Sequence, residues 1–472
     1  MKELLQQIHP NLDLGLDLDE EQFKLQWQDF QLSRNHKAFG VFNDVGTGKT
    51  VISLLYLAKN FVEGKKTIVV IPSSLMHQYS KSLLAVKGLG WSITVCDTSR
   101  HKRERQFEYW NEKYPDVVVM TPASLIDCVS FIRRCGYTSI VVDEAHMILG
   151  LTNKIRAVLV GLIKYYEYTA LMMTATPHNS ELASAYGMIS VLNPSAYENY
   201  EDFGNQHIYF KTFKLGGTER KVIEGYHDVD RLSLNLFARS CRRQSSDVLK
   251  LSQPTLVRVE VALTKAHNLN ISTLISSWLD KVGDDETWLE NSQAVRQQAL
   301  MRVTNPPIRE VGFTNPLEAL ETLLESINPM ANKVVIFCYY QRTIEYLAEK
   351  LARYNPALVY GGANSGLTSE KFKTDDGCRI VLANYQAGGV GHNWQHAANI
   401  IMYEPISDVK YINQAIGRCQ RGGQTKPVVV HMMVYKIEMI KKIIAKADVR
   451  AELSRVLLGD QTSYLNYIPP GE

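Results

Sequence analysis

The sequence predicts an α/β protein of two lobes, each built around a parallel β-sheet. Short apolar runs, typical of buried strands, alternate with longer polar or helix-period segments, and this alternation is characteristic of parallel strands covered by helices. The same alternation recurs after Pro329, which predicts a second lobe. A glycine-rich turn between a predicted strand and an apolar helix indicates that the first lobe binds phosphate.

The expected strands lie in two groups. The first lobe is predicted to contain strands at 38–42, 67–71, 117–120, 140–142 and 171–173. The second is predicted to contain strands at 333–338, 357–360, 379–382, 399–403 and 428–432. Between them, residues 263–301 are rich in helix formers and residues 304–316 in proline and glycine. We therefore expect a first lobe over 1–260, a helical insertion and connection over 261–315, and a second lobe over 316–472.

The composition is that of a folded, intracellular protein. Apolar residues make up 45% of the chain and charged residues 21%, an ordinary globular balance. The net charge of 52 − 49 = +3 means that any nucleic-acid site must be a local basic surface. The seven scattered cysteines show no metal-ligand spacing and predict buried free thiols, and the acidic N-terminus is unlike a signal peptide. No apolar run has membrane-spanning length.

A phosphate-binding loop is predicted at residues 44–50, Asp-Val-Gly-Thr-Gly-Lys-Thr. Backbone N–H groups of the turn and of the following helix would hold the phosphates of ATP. Lys49 would reach the β- and γ-phosphate oxygens, and the Thr50 hydroxyl would ligate Mg²⁺. Asn43 stands where the full Walker pattern has a glycine. The nucleotide-binding residues expected here are Gly46, Thr47, Gly48, Lys49 and Thr50.

Two acids follow a buried strand in the run 140–146, Ile-Val-Val-Asp-Glu-Ala-His. The carboxyl ends of parallel strands share one edge of the sheet, which is also where a phosphate-binding loop lies. Asp143 would hold Mg²⁺, and Glu144 would polarise the attacking water, a task that needs a carboxylate within hydrogen-bond reach of the γ-phosphate.

In their order along the chain, these motifs resemble those of helicase superfamily two, in its DEAH-box arm. The resemblance implies two RecA-like lobes with ATP held between them. It also implies a glutamine that reads adenine upstream of the loop. Gln28 is the candidate for this role, and Gln22, Gln26 and Gln31 are alternatives.

The same resemblance extends to three further segments of the first lobe. Ser73 and Thr121 lie in segments that look like those touching the nucleic-acid backbone, although ordinary strand-to-helix turns would give the same pattern. Residues 173–177, Met-Thr-Ala-Thr-Pro, are similar to the element that couples hydrolysis to movement. The hydroxyls of Thr174 and Thr176 would supply its hydrogen bonds.

Within the superfamily, the sequence most resembles the Swi/Snf-type DNA-dependent ATPases. Residues 176–194 begin with Thr-Pro-His-Asn and close in Leu-Asn-Pro, as in that branch. Arg242 and Arg243 resemble its double-arginine landmark, with a solvated helix face as the alternative. Residues 382–394 look like the glycine-rich loop of the second lobe, where the absence of a Cβ lets the backbone approach phosphates. The residues expected in that loop are Asn384, Gly388 and Gly391 for nucleic acid and Gly389 for nucleotide.

The run 413–427 matches the Swi/Snf pattern Q-A-x-x-R-x-x-R-x-G-Q nearly residue for residue. Gln414 is a candidate nucleotide contact. Arg418 and Arg421 are three residues apart, so on a helix they would share one face. They are candidate arginine fingers, which neutralise charge on the transferring phosphoryl group.

The resemblance, which spans residues 25–444, implies an ATP-driven translocase on double-stranded DNA that requires Mg²⁺. Contacts to the DNA backbone would give movement without sequence preference. The alternatives are a strand-separating or branch-remodelling DNA helicase, an RNA helicase, and an ATP-sensing module that does not hydrolyse. Because no appended chromatin-reading or zinc module is visible, we expect a prokaryotic or viral motor in the cytoplasm or nucleoid.

Overall fold

The protein forms two compact units. The structure, a computed structural model, describes residues 1–96, 99–110, 113–147, 153–178, 181–215, 218–249, 251–252, 254–261, 315–360, 365–385, 393–404, 406, 408–435, 449 and 452–460. Unit 1 comprises Met1–Lys211, Ile223–Lys250 and Leu453–Asp460, and unit 2 comprises Thr212–Val222, Leu251–Glu452 and Gln461–Glu472.

The described strands are numbered in chain order. They are β1 (Ala38–Val41), β2 (Lys66–Val70), β3 (Ile93–Val95), β4 (Val117–Met120), β5 (Tyr137–Asp143), β6 (Thr169–Met173), β7 (Ile208–Leu215), β8 (Thr218–Tyr226), β9 (Ser240–Cys241), β10 (Thr255–Val261), β11 (Val334–Cys338), β12 (Ala357–Val359), β13 (Ile380–Asn384), β14 (Asn399–Met402) and β15 (Val429–Tyr435).

The described helices are numbered in the same way. They are α1 (Lys2–Gln6), α2 (Glu20–Ser33), α3 (Lys49–Val62), α4 (Ser73–Ala85), α5 (Arg100–Trp110), α6 (Pro122–Arg134), α7 (Lys154–Tyr165), α8 (Ala185–Leu192), α9 (Tyr200–His207), α10 (Val229–Phe237), α11 (Ser245–Leu249), α12 (Asn315–Ile327), α13 (Gln341–Lys350), α14 (Ser365–Thr374) and α15 (Val409–Cys419).

Unit 1 is built on a seven-stranded sheet in the order β3-β4-β2-β5-β6-β1-β9, and its described pairings are parallel. Alternate side chains of each strand enter different cores. Ile68 and Val70 join the cluster that includes residues of α6, α7 and α8, whereas Val69 joins the cluster that includes residues of α2 and α3. This period of two, with both faces buried, explains the continuous apolar runs in the sequence.

Unit 2 is built on a six-stranded sheet in the order β10-β15-β14-β11-β13-β12, again with parallel pairings. Its strands and the apolar faces of α12 and α13 form one buried cluster. The fold-class prediction is confirmed: the chain is an α/β protein with two parallel sheets, and all ten predicted strands are present, with bounds that differ by a few residues at most.

Unit 2 includes the segment Thr212–Val222, which was expected in the first lobe, and the units differ from the expected domains at two further places. Strand β10 pairs with β15 along its length, from Thr255 opposite Val429 to Val261 opposite Tyr435, so residues 251–261 belong to unit 2. Residues 453–460 belong to unit 1, because Leu457 is fully buried in a unit 1 core. Both differences arise from pairings between segments far apart in sequence. The expected helical insertion lies almost entirely outside the described residues.

The strands β3, β7, β8 and β9 were not predicted. Strand β3 is partly exposed, β9 has two residues, and β7 and β8 form a separate two-stranded sheet. The seven cysteines are free, and all except the partly buried Cys241 are buried, in agreement with the predicted thiols. Within the described ranges, every helix is too short or too polar to cross a lipid bilayer.

Candidate nucleotide site

The predicted phosphate-binding loop connects β1 to α3. Helix α3 begins at Lys49, and Gly48 is its N-cap residue. Gly46 and Gly48 have φ values of 85° and 86°, in the left-handed region that disfavours side chains. A Cβ on Gly48 would lie 2.1 Å from Nε2 of Gln26. The loop therefore requires glycine at these positions, and it leads into the N-terminus of a helix, the end that favours bound anions.

Side chains of the loop fold onto its own backbone. Lys49 Nζ donates to the carbonyl oxygens of Asn43 (2.7 Å) and Asp44 (2.9 Å), and Thr47 Oγ1 donates to the same oxygen of Asp44 at 2.8 Å. The ammonium group of Lys49 therefore lies against the turn whose N–H groups are expected to hold phosphate.

Asn43, the departure from the Walker pattern, has a structural reason. Its side chain is buried, and Nδ2 donates to Oδ2 of the buried Asp29 at 2.7 Å. Asp29 also accepts a hydrogen bond from Nε of Arg243 at 2.9 Å. A glycine here would leave that carboxylate without one of its donors.

The two predicted acids lie where β5 ends. Asp143 is the last residue of the strand, and Glu144 follows with φ of 50°. Asp143 Oδ1 accepts a hydrogen bond from the Glu144 backbone N–H at 2.9 Å. His146 Nδ1 lies 3.2 Å from Glu144 Oε2 and 2.8 Å from Thr174 Oγ1. His146 Nδ1 thus lies between the acid expected to activate water and Thr174, in the segment after β6.

The residues expected to hold Mg²⁺ fit that ion in donor type. Thr50 is the second residue of α3. Tyr79 hydrogen-bonds to Ser53, in the next turn of the same helix, at 2.8 Å. Burial, together with the negative charge of Asp143, raises the pKa of Tyr79 well above its usual range. The hydroxyl of Thr50 and the carboxylate of Asp143 are oxygen donors, which are the ligands that Mg²⁺ prefers.

The glutamine that contacts the loop is Gln26. Its side chain is buried and Nε2 donates to the Thr47 carbonyl at 3.1 Å, while no described residue hydrogen-bonds to its Oε1. Gln28 is exposed and accepts a hydrogen bond from Arg243 at 3.1 Å. The adenine-reading role of Gln28 stays a prediction. Only the orientation of α2 against the loop distinguishes the two glutamines.

Arg242 and Arg243 are not on a solvated helix face. They lie between β9 and α11, and both pair with carboxylates of unit 1. Arg243 Nη2 is 2.8 Å from Oδ1 of Asp29, and Arg242 Nη2 is 3.0 Å from Oδ1 of Asp44 in the loop. The sequence marked this pair through its resemblance, and only the fold reveals its carboxylate partners.

The proposed backbone-contacting residues of unit 1 lie at the same sheet edge as Asp143. Ser73 is exposed at the first position of α4, which follows β2. Thr121 follows β4 and caps α6, where its Oγ1 accepts a hydrogen bond from Ser124 N at 3.2 Å. Both residues thus start helices after strands, and their contact with nucleic acid stays a prediction.

In unit 2, Arg421 is not on the helix of Arg418. Helix α15 ends at Cys419, because Gln424 Nε2 donates to the Cys419 carbonyl at 3.2 Å and Gly423 turns the chain with φ of 91°. The expected shared helix face is therefore wrong. The side chains are nevertheless close enough to interact: burial, followed by the positive charge of Arg418, lowers the pKa of Arg421 to about 10.

The other candidates of unit 2 are only partly described. Gln414 is buried within α15. Asn384 is the last residue of β13, and its Nδ2 donates to the Tyr339 carbonyl at 2.6 Å. Arg421 Nη1 donates to Asn393. The positions of Gly388, Gly389 and Gly391 lie outside the described residues.

Two protein families match the chain in the order that these motifs require. The DEAD/DEAH box helicase family matches residues 24–185, and the helicase conserved C-terminal domain matches residues 316–423. The matches together cover more than half of the chain. The chain belongs to the DEAD/DEAH-type helicases of superfamily two, which are ATP-binding ATPases of two domains.

Within that class, the chain is similar to Swi/Snf-type proteins, as expected. It is 22% identical over 454 residues to the mouse SWI/SNF-related matrix-associated actin-dependent regulator of chromatin subfamily A member 1. This alignment covers 88% of this chain and 41% of the relative. It is 21% identical over 465 residues to ATP-dependent DNA helicase DDM1 of Arabidopsis thaliana, in an alignment that covers 89% of this chain and 59% of that relative. The chain spans less than two thirds of the length of either.

Solved structures of the Sulfolobus solfataricus SWI2/SNF2 ATPase core also align with the chain. The alignment with the core in complex with dsDNA covers 94% of this chain and 97% of the archaeal chain, at 17% identity and a TM-score of 0.40. The core domain without DNA covers 96% and 91%, at 17% identity and a TM-score of 0.39.

Proposed function

We propose that this chain is an ATPase stimulated by double-stranded DNA, which uses the energy of hydrolysis to move along the duplex. The observation that carries this proposal is the path from Glu144 through His146 to Thr174. It places one side chain within 3.2 Å of the acid expected to activate water and 2.8 Å of the segment expected to couple hydrolysis to movement. Hydrolysis of the γ-phosphate beside Glu144, at the end of β5, would thereby affect the segment that follows β6.

For hydrolysis, we assign binding and chemistry to different residues. The loop N–H groups and Lys49 bind the phosphates, and Glu144 orients the attacking water. Mg²⁺ held by Thr50 and Asp143 would neutralise charge on the β- and γ-phosphate oxygens. Arg418 and Arg421 would neutralise the charge that develops on the transferring phosphoryl group.

For DNA, the proposal draws on the sequence relatives and on the position of the polar strand ends. The mouse relative is named a regulator of chromatin and the Arabidopsis relative a DNA helicase. Ser73 and Thr121 follow strands that flank each other in the sheet of unit 1 and end at the edge that carries Asp143. Contacts from this edge to DNA phosphates would grip the duplex without reading bases.

The decisive experiment compares ATP hydrolysis with blunt duplex DNA, single-stranded DNA, forked DNA and RNA as cofactors. We expect blunt duplex to stimulate most, and the enzyme to displace a third strand from it without separating the duplex. Equal stimulation by single-stranded DNA or RNA would contradict a duplex translocase. The Lys49→Ala variant serves as the control for contaminating ATPases, because it lacks the phosphate-facing ammonium.

A strand-separating helicase is the second candidate, and one structural feature favours it. Strands β7 and β8 form a two-stranded sheet of their own, on which Tyr209 and Val222 are 57% and 49% exposed. Exposed apolar side chains on such a hairpin could wedge between bases. Separation of a forked duplex by the wild type, lost in Tyr209→Ala with the ATPase retained, would support this alternative.

A further inference from the structure

The guanidinium of Arg242 lies buried between two carboxylates. Its Nε and Nη2 donate to the two oxygens of Asp460 at 2.6 and 2.5 Å, and Nη2 lies 3.0 Å from Oδ1 of Asp44. The three side chains are 10%, 13% and 19% exposed. A bidentate pair of this kind sets the orientation of the guanidinium as well as balancing its charge.

The same guanidinium joins two backbone segments of the nucleotide site. Arg242 Nη1 donates to the carbonyl of Phe42 at 2.7 Å and to that of Ala175 at 3.3 Å. Phe42 directly follows β1, two residues before the phosphate-binding loop, and Ala175 lies in the segment after β6. Asp44 is the first residue of the loop, and its Oδ2 also accepts from Ser245 N at 3.0 Å.

Asp460 reaches this position at the end of the segment 452–460, which is helical over 452–458. The segment is anchored in unit 1 independently of the ion pair. Leu457 is fully buried in a core cluster of that unit, and Ser454 Oγ lies 2.9 Å from Nε2 of His178, the residue after Pro177. The segment therefore contacts the region after β6 twice, once through His178 and once through Arg242.

We propose that Arg242 is a positioning residue of the nucleotide site and that Asp460 sets its orientation, so that the segment 452–460 is part of the framework of the phosphate-binding loop. Arg242 acts through Asp44 and the two carbonyls, and not by contact with nucleotide. The proposal rests on the proposed function only in that it takes this loop as the ATP site.

The role follows from the number of contacts that one buried cation makes. Without Asp460, two of the guanidinium donors lose their acceptors while the charge stays buried, so the group must reorient towards water or towards Asp44. Either movement displaces Asp44 or releases the carbonyls of Phe42 and Ala175. A loop that holds phosphate through its backbone is sensitive to displacements of this kind.

The test is Asp460→Asn in the full chain, which removes the charge and keeps the shape. We expect the KM for ATP and the Kd for a fluorescent ATP analogue to rise about tenfold, with a smaller decrease in kcat. A purely structural role would give a different result: a smaller folded fraction lowers the apparent kcat and leaves the KM unchanged. All measurements are made well below the melting temperature of each variant.

Matched variants separate position from charge. Asp460→Glu should recover part of the affinity, because it restores the carboxylate at a slightly different reach. Glu167→Gln makes the same amide exchange on a 79% exposed acid that pairs with Lys37, and it should leave the KM unchanged. Arg242→Ala should raise the KM as Asp460→Asn does. If that variant fails to fold, Arg242→Lys retains the charge without the bidentate geometry and should raise the KM in the same way.

A double-mutant cycle gives the final readout. Because Asp44 and Asp460 act through one guanidinium, the effects of Asp44→Asn and Asp460→Asn on ATP affinity should be non-additive. Wild-type affinity and KM in folded Asp460→Asn, or additive effects in the cycle, would overturn the proposal. These assays contain no DNA, so a failure of duplex stimulation would refute the proposed function while leaving this result intact.

Discussion

Glu144 has an unusual backbone conformation for its position beside the nucleotide site. Its φ of 50° is in the left-handed region, which costs a non-glycine residue on the order of 1 kcal/mol. The adjacent Asp143 side chain accepts its backbone N–H, and His146 contacts its carboxylate. The surrounding contacts therefore hold a strained residue in one orientation, as expected for a group that must orient water.

Glu144→Gln should preserve ATP affinity and abolish turnover. The amide retains the size of the side chain but cannot accept a proton, while Asp143 remains available for Mg²⁺. Nucleotide titration and single-turnover hydrolysis measure the two effects separately. The control is Glu181→Gln, an acid on the segment after β6 that contacts Tyr226. Loss of ATP binding in Glu144→Gln would show that the two acids have other roles.

Glu404 shows how a buried acid can make stability depend on pH. It is fully buried after β14, where it accepts hydrogen bonds from the backbone N–H groups of Tyr339 and Tyr340 and from the Thr343 hydroxyl. Burial raises its pKa from 4.5 to about 7, against the opposing effect of these hydrogen bonds. The folded protein therefore binds this proton more tightly than the unfolded chain does.

The stability contribution of Glu404 should be complete below pH 4.5 and should be lost as the pH rises to about 7. The Glu404→Gln variant cannot titrate, so raising the pH from about 5 to 8 should favour the variant over the wild type by at most about 3 kcal/mol. Urea denaturation of both proteins at each pH measures this difference. Glu349→Gln, on a side chain that is 76% exposed, should show none.

At the scale of elements, the connection from β1 to α3 depends on glycine for two separate reasons. Gly48 combines a left-handed φ with close packing against Gln26, whereas Gly64, after the end of α3, has φ of 72° and open space where a Cβ would lie. Substitutions of Gly48 and Gly64 therefore separate the effect of backbone strain from that of steric contact.

Gly48→Ala should abolish ATP binding, because the new methyl group meets Gln26 and displaces the loop. Gly64→Ala should cost only about 1–2 kcal/mol of stability, the typical cost of a left-handed conformation, and should retain hydrolysis. ATP-analogue titration and thermal unfolding measure the two outcomes. Normal ATP binding by Gly48→Ala would place the nucleotide away from this loop.

In unit 2, the element expected to act on the nucleotide is the turn after α15. Arg418 is the last residue but one of α15 and Arg421 lies after the helix, so substitution of either changes the charge without removing a helical contact of the other. Arg418→Ala or Arg421→Ala should reduce turnover by a factor on the order of a thousand, with ATP binding by unit 1 largely retained. Arg353→Ala, on a 55% exposed side chain, is the matched control. Unchanged turnover in both variants would exclude the arginine-finger role.

At the scale of the whole molecule, the small net charge constrains how DNA can be bound. With a formal charge of +3, affinity for DNA must come from local contacts to phosphates rather than from the overall field. Duplex-stimulated hydrolysis should increase with duplex length until the length exceeds the footprint, and it should not depend on base sequence.

Salt provides the quantitative check. Raising the salt from about 50 to 200 mM should weaken duplex affinity at least tenfold, because each phosphate contact releases counterions. Fluorescence anisotropy with duplexes of several lengths and two unrelated sequences measures the affinity, and the ATPase assay is run in parallel. A salt-independent affinity, or a marked sequence preference, would point to base readout instead.

Much of the fold and of the nucleotide site follows from contiguous stretches of sequence. Buried parallel strands leave apolar runs, and the residues at their carboxyl ends, such as Lys49, Asp143 and Thr174, are brought to one edge by any parallel arrangement. The apolar runs therefore predicted both sheets, and the resemblance of the motifs, taken in their order, indicated the superfamily.

Other features depend on contacts between segments that are distant in the chain. The sequence could not show that Gln26, rather than Gln28, contacts the loop, since this depends on the packing of α2. Nor could it show that Asp460 binds Arg242, 218 residues away. The side-chain amide of Gln424 belongs to the same group, because it also donates to the carbonyl of Ala397, 27 residues away. Periodicity reports which residues are buried, whereas the partner of a buried charge is set by how the elements pack.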